Sequence, residues 1–160
     1  MKTLITGLSM GLLGALAVFV TFSLQWPTWV LFIAWVSYYL FGMSIKASLH
    51  TLLNMTAGFL LGILMATLTH MLEQGLGRFA MPTVVLVCIS LLPYLSKIRY
   101  LENIPAWFLG LIVYFGVHPP LEARPVLNIF AAIIAGFVFA FVNHRASLLI
   151  ARSDNDQLHD

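Results

Sequence analysis

Two stretches decide the fold: NMTAGFLLGILMATLTH at 54–70 and NIFAAIIAGFVFAFVNH at 128–144. They align at a constant offset. Leu53, Asn54, Ala57, Gly62, Ala66 and His70 recur as Leu127, Asn128, Ala131, Gly136, Ala140 and His144. The pair Phe41-Gly42 recurs as Phe115-Gly116 at the same offset, and Pro27-x-Trp29 is echoed by Pro105-x-Trp107 about one helical turn out of register. The first helix of each half has no convincing counterpart.

Within each stretch one set of residues is spaced by four: Asn54, Gly58, Gly62, Ala66 and His70 in the first, Asn128, Ala132, Gly136, Ala140 and His144 in the second. Residues four apart form a single ridge on a helix. Small side chains in the middle of a ridge let another backbone come close, which is how helices associate in lipid. Gly58, Gly62, Ala66, Ala132, Gly136 and Ala140 are therefore packing positions. The third and sixth helices are expected to meet near Gly62 and Gly136.

Composition sets the solvent. Of 160 residues, 61% are hydrophobic and 9% charged, and the mean hydropathy is +0.95. A soluble domain carries roughly 25% charged residues, so this chain lacks the charge to cover a water-facing surface. A β-barrel needs alternating apolar and polar positions, and runs such as 12–22 and 131–142 do not alternate. An all-α membrane protein follows.

A helix crosses the hydrocarbon with about 20 apolar residues. Spans are predicted at about 4–24, 28–44, 49–72, 80–97, 104–118 and 126–150. These make a single transmembrane domain over 1–152, built as two inverted three-helix repeats of about 1–74 and 78–152, before a polar, frayed cytoplasmic tail at 153–160. An odd number of spans per repeat inverts the second copy, which puts His70 near the outer face and His144 near the inner. Lys2 and the apolar run after it have the form of a secretory signal, with Ala15-Leu16-Ala17 as a cleavage site. The run continues to Leu24, a length that favours a retained helix.

Orientation follows from basic residues in short loops. Lys2, Lys46, Lys97, Arg99, Arg145 and Arg152 fall on one side, six of the eight basic residues, against Arg78 and Arg124 on the other. Both termini are expected in the cytoplasm. Trp26, Trp29 and Trp107 fall near span ends, where aromatic belts form.

The acidic residues Glu73, Glu102, Glu122, Asp154, Asp156 and Asp160 all fall in loops or the tail. Ion-coupled pumps carry ionisable groups at depth, so a passive path for a small neutral solute fits better. Asn54 and Asn128 are the first candidates to line it, since an amide both donates and accepts. The competing role for each is an interhelical hydrogen bond. His70 and His144 are candidate filters at opposite mouths, against interfacial anchoring. Trp35, Tyr38 and Tyr39 are candidate constrictions, against aromatic packing. Gly7, Gly11 and Gly14 give the first helix a small face, and a homo-oligomer is expected.

Other chemistry finds no support. The single cysteine, Cys88, reads as a small buried hydrophobe. No cysteine-histidine cluster points to a metal. No nucleophile-histidine-carboxylate set or glycine-rich phosphate loop points to catalysis or a cofactor. The net charge of +2 is small and says nothing about nucleic acid, and no nucleic-acid partner is expected.

Trp29, Tyr38-Tyr39, Gly42, Asn54, Gly58 and Gly62 together resemble the YcdZ-like family of small bacterial inner-membrane proteins, a family of unknown function. The resemblance implies an inner-membrane location and supplies no activity. The three-plus-three plan is also similar to that of small urea and amide channels, whose specific motifs the chain lacks. The expected function is a channel or facilitator for a small neutral solute. The alternatives are a non-transporting assembly or regulatory protein, and a gradient-driven exporter using His70 or His144.

Overall fold

A computed structural model describes the backbone of residues 2–156 and the side chains of residues 3–151. The side chains of Lys2, Arg152, Asp154 and Asp156, and all of Asp160, lie outside the described residues. The described chain is all helical: α1 (Lys2–Leu24), α2 (Thr28–Leu40), α3 (Ile45–Leu76), a 3-10 turn (Gly77–Phe79), α4 (Ala80–Leu95), α5 (Ile104–Val117) and α6 (Ala123–Asp156). No strand occurs among the described residues.

Three stretches are long and apolar enough to cross a membrane: Thr3–Leu24, Ile45–Leu95 (which runs through α3 and α4) and Ala123–Ala151. The predicted spans at 28–44 and 104–118 are helices of only 13 and 14 residues. At 1.5 Å per residue each is about 20 Å long, short of the ~30 Å hydrocarbon. Local chemistry sets their ends. In α2, Gly42 has φ 126° and Met43 φ 47°, which turn the chain out of the helix. The Tyr38 hydroxyl donates to the Met43 carbonyl and fixes that turn at 2.8 Å. In α5, Asn103 caps the start by accepting the Ala106 N–H, and His118 ends it with φ 46°. The tail expected from residue 153 is helical as far as Asp156, and residues 157–160 lie outside the described residues.

The chain forms two compact units. Unit 1 holds residues 1–48 and 120–160; unit 2 holds 49–119. Each joins two helices from one half of the sequence to the long helix of the other half.

In unit 1, α6 packs on α2 and α1. Its buried residues include Ala17, Leu31, Ala34, Trp35, Ile129, Ile133, Phe137 and Ala140. A Cβ on Gly136 would run into the Leu31 carbonyl oxygen and lie 2.7 Å from the Ala34 Cβ. The α1–α2 turn is held by two threonines. The Thr21 hydroxyl meets that of Thr28 at 2.8 Å and donates to the Ala17 carbonyl at 3.0 Å.

Unit 2 has a core of Leu61, Met65, Val84, Cys88, Leu92, Trp107 and Leu111. Here α3 and α5 approach backbone to backbone. The Trp107 carbonyl fills the space beside Gly58, the Met55 carbonyl fills the space beside Gly110, and the Tyr114 ring lies 2.6 Å from where a Cβ on Gly62 would be. The neighbours at Gly62 and Gly136 thus come from the short helices α5 and α2. This corrects the assignment of that space to the other long helix. The physical reason is reciprocal smallness: Gly110 in α5 and Ala34 in α2 present surfaces narrow enough to enter a glycine groove.

Candidate functional site

The matched residues of α3 and α6 occupy unlike environments. Asn54 is fully buried and hydrogen-bonded at both ends of its amide. Its amide nitrogen donates to the carbonyls of His50 and Tyr100, both at 2.8 Å, and its oxygen accepts the Asn103 N–H at 3.2 Å. It ties α3 to the loop before α5, with both amide hydrogens and one oxygen lone pair engaged, which is the interhelical bonding role. Asn128 is partly buried and makes no side-chain hydrogen bond among the described residues. His70 is 90% exposed and stands 3.8 Å from Glu73, one turn along the same helix. His144 is partly buried and bonded to α2.

Trp35 is packed, not open. It is 5% exposed and stacks on Phe32 and Phe139, each at a ring-centroid distance of 5.9 Å.

Three of the predicted residues, Tyr38, Tyr39 and His144, do come together, with Asn143, which the sequence did not single out. The Tyr38 hydroxyl lies 2.9 Å from His144 Nδ1, and the Asn143 amide nitrogen donates to the Tyr39 hydroxyl at 2.8 Å. The Tyr38, Tyr39 and His144 rings are mutual neighbours, with centroids 5.4, 5.8 and 6.3 Å apart. The cluster sits where α2 ends and α6 passes it.

Hydrogen-bond accounting selects one tautomer for a neutral His144. A hydroxyl has one proton to give, and Tyr38 gives it to the Met43 carbonyl. His144 Nδ1 must then carry the hydrogen that meets the Tyr38 oxygen, and the neutral ring presents Nε2 as an acceptor. Asn143 is 4% exposed, and its Oδ1 is shielded from solvent with no hydrogen-bond partner among the described residues.

Position 143 differs from its counterpart in α3. Thr69 stands there and donates to the Met81 sulfur at 3.2 Å. That difference, asparagine beside histidine in one stretch and threonine beside histidine in the other, was the signal available in the sequence. A second residue missed is His50 in unit 2. Its Nε2 is shielded, lacks a hydrogen bond, and lies 3.6 Å from Glu102 Oε2.

Long apolar helices, a near-absence of charge and neutral buried polar groups have the make-up of a small helical membrane protein. Residues 7–147 match the family model described as "Protein of unknown function (DUF1097)". The chain belongs to that family. No curated protein and no solved structure matches it.

Proposed function

We propose that this chain is a channel or facilitator for a small neutral solute in the bacterial inner membrane, six helices deep with both termini in the cytoplasm. One observation carries the reading. No aspartate, glutamate, lysine, arginine or histidine is buried among the described residues; the buried polar side chains include Thr21, Ser37, Thr51, Asn54 and Asn143. A carrier coupled to protons or ions needs ionisable groups in its interior, while a neutral solute needs only hydrogen-bonding groups that change partners readily.

The inverted-repeat reading is supported by the composition of the two units. Each has a long helix with a small-residue ridge, filled by a short helix with a proline at its start, Pro27 before α2 and Pro105 in the first turn of α5. Short helices ending inside a bundle leave backbone and side-chain polar groups at depth, where transporters place their sites. Four basic residues lie over aromatic faces: Arg78 on Phe79, Lys97 on Tyr94, Arg99 on Tyr100 and Arg145 on Phe141, at 4.8–5.5 Å. Such pairs suit the bilayer interface.

The test is solute flux through liposomes holding the full chain. Osmotic swelling in glycerol, urea, acetamide or water faster than in empty liposomes is expected. Equal rates for all four, with helical content confirmed, would overturn the reading.

A second reading, a non-transporting protein that assembles in the membrane, has one specific observation in its favour. Gly7, Gly11 and Gly14 of α1 have nothing within 4 Å of a built Cβ, and Leu4, Leu8 and Leu12 around them are exposed. That small face suits a helix of a second copy. Chemical cross-linking at Gly11 that yields a defined oligomer, with no flux of any solute, would favour it.

A further inference from the structure

We propose that Asn143, Tyr39 and His144 form a hydrogen-bonding site for a small primary amide or urea-type molecule. The starting point is the Asn143 amide. It is almost wholly buried, yet it has one partner, the Tyr39 hydroxyl. Rotating the amide does not remove the deficit. With Oδ1 turned to Tyr39, the shielded NH2 group would lack an acceptor instead. A buried polar group left unmet is costly, and in folded proteins such groups nearly always find a partner.

The neighbours define what that partner must be. Tyr39 uses its oxygen to accept from Asn143, so its own hydrogen is left to donate. In the neutral tautomer that carries its hydrogen on Nδ1, His144 donates to Tyr38 and holds Nε2 as an acceptor. The three residues therefore offer two acceptors and one donor, all neutral. The complement is a molecule with N–H donors beside a carbonyl oxygen, as in a primary amide or urea. A carboxylate would bring only acceptors to Oδ1 and Nε2. A metal or ammonium ion would find no counter-charge, since the nearest charge along α6, Arg145, is itself positive and stands over Phe141. The Tyr38, Tyr39 and His144 rings supply apolar walls. In the matching stretch of α3 the Thr69 hydroxyl is already bonded to Met81, so the same site is not built there.

This inference rests on the neutral-solute reading and names its substrate class. The experiment is a titration of the full chain in detergent micelles, with 15N-labelled asparagine and histidine, using acetamide as the probe. Saturable shifts of the Asn143 side-chain and His144 ring signals are expected. N,N-dimethylacetamide, which lacks N–H, and sodium acetate should leave them unmoved. Asn143→Leu should abolish the response. Tyr39→Phe, which keeps the ring and its packing, should weaken binding by about tenfold, the usual worth of one hydrogen bond to a buried partner. No saturable shift, an equal response to dimethylacetamide, or unchanged binding in Tyr39→Phe would each overturn the site. Glycerol flux without acetamide binding would sink the site and leave the passage. Acetamide binding without flux of any solute would do the reverse.

Discussion

The carbonyl oxygen of Trp107 occupies the space that a Cβ on Gly58 would fill, so α3 and α5 touch through their backbones. A carbonyl cannot swing aside as the end of a side chain can. Gly58→Ala must push the helices apart, at a cost of at least about 1–3 kcal/mol. The expected result is a clearly lower melting temperature in detergent, followed by circular dichroism. Gly110→Ala, facing the Met55 carbonyl, should behave alike. Gly11→Ala, with nothing within 4 Å, should melt like the parent. Equal melting of Gly58→Ala and Gly11→Ala would show that the two helices are not this close.

Asn54 and Asn128 hold matching positions, yet their removal should differ sharply. Asn54→Leu strands the Tyr100 carbonyl and the Asn103 N–H, both held only through that side chain. A loss of roughly 2–4 kcal/mol follows from orphaning two partly buried backbone groups. Asn128→Leu, with no side-chain hydrogen bond among the described residues, should change stability by less than about 0.5 kcal/mol. The two midpoints in a detergent unfolding titration decide between them. Similar losses would mean that Asn128 has a bonding role of its own.

Gly75 and Gly77 are two residues apart and should respond with opposite signs. Gly75 lies inside α3 with open space around it, so Gly75→Ala should stabilise by roughly 0.5–1 kcal/mol through helix propensity. Gly77 has φ 51°, a left-handed conformation that alanine adopts only under strain, so Gly77→Ala should cost about 1 kcal/mol. Thermal midpoints moving the same way in both variants would contradict the helix end placed at Leu76.

Much of the helix layout was legible because each boundary carries a residue with a fixed backbone habit: Pro27 before α2, Asn103 and Pro105 at the start of α5, Gly77 after α3. The end of α2 was not, because it depends on the Tyr38 hydroxyl reaching the Met43 carbonyl, a contact that periodicity does not encode. The glycine ridges were also legible as grooves. Small residues say that a backbone will approach but not which one, and the short helices took the place assigned to the long ones. Asn54 could not be read as a tether, since its partners are backbone groups 46 and 49 residues away with no side-chain signature. The cluster at Tyr39 and His144 was half visible. Its key member, Asn143, lies where the two aligned stretches differ, and a search for matches passes over such a position.

The last prediction concerns topology. If α3 and α6 cross in opposite directions, residues near His70 and just past His144 must face opposite compartments. Cys88 is buried and is the chain's single cysteine, so a Cys88→Ala background accepts one reporter at a time. His70→Cys places a thiol at a side chain that is 90% exposed. Leu148→Cys places one a turn beyond His144, at a residue that is 42% exposed. In intact cells a membrane-impermeant maleimide should label the first and spare the second, and in inverted membrane vesicles the pattern should reverse. The basic residues argue for this sense, since Arg145 and Arg152 flank the second site while Arg78 alone follows the first. Labelling of both from the same side would remove the inverted arrangement, and with it the support for a path that is alike from its two ends.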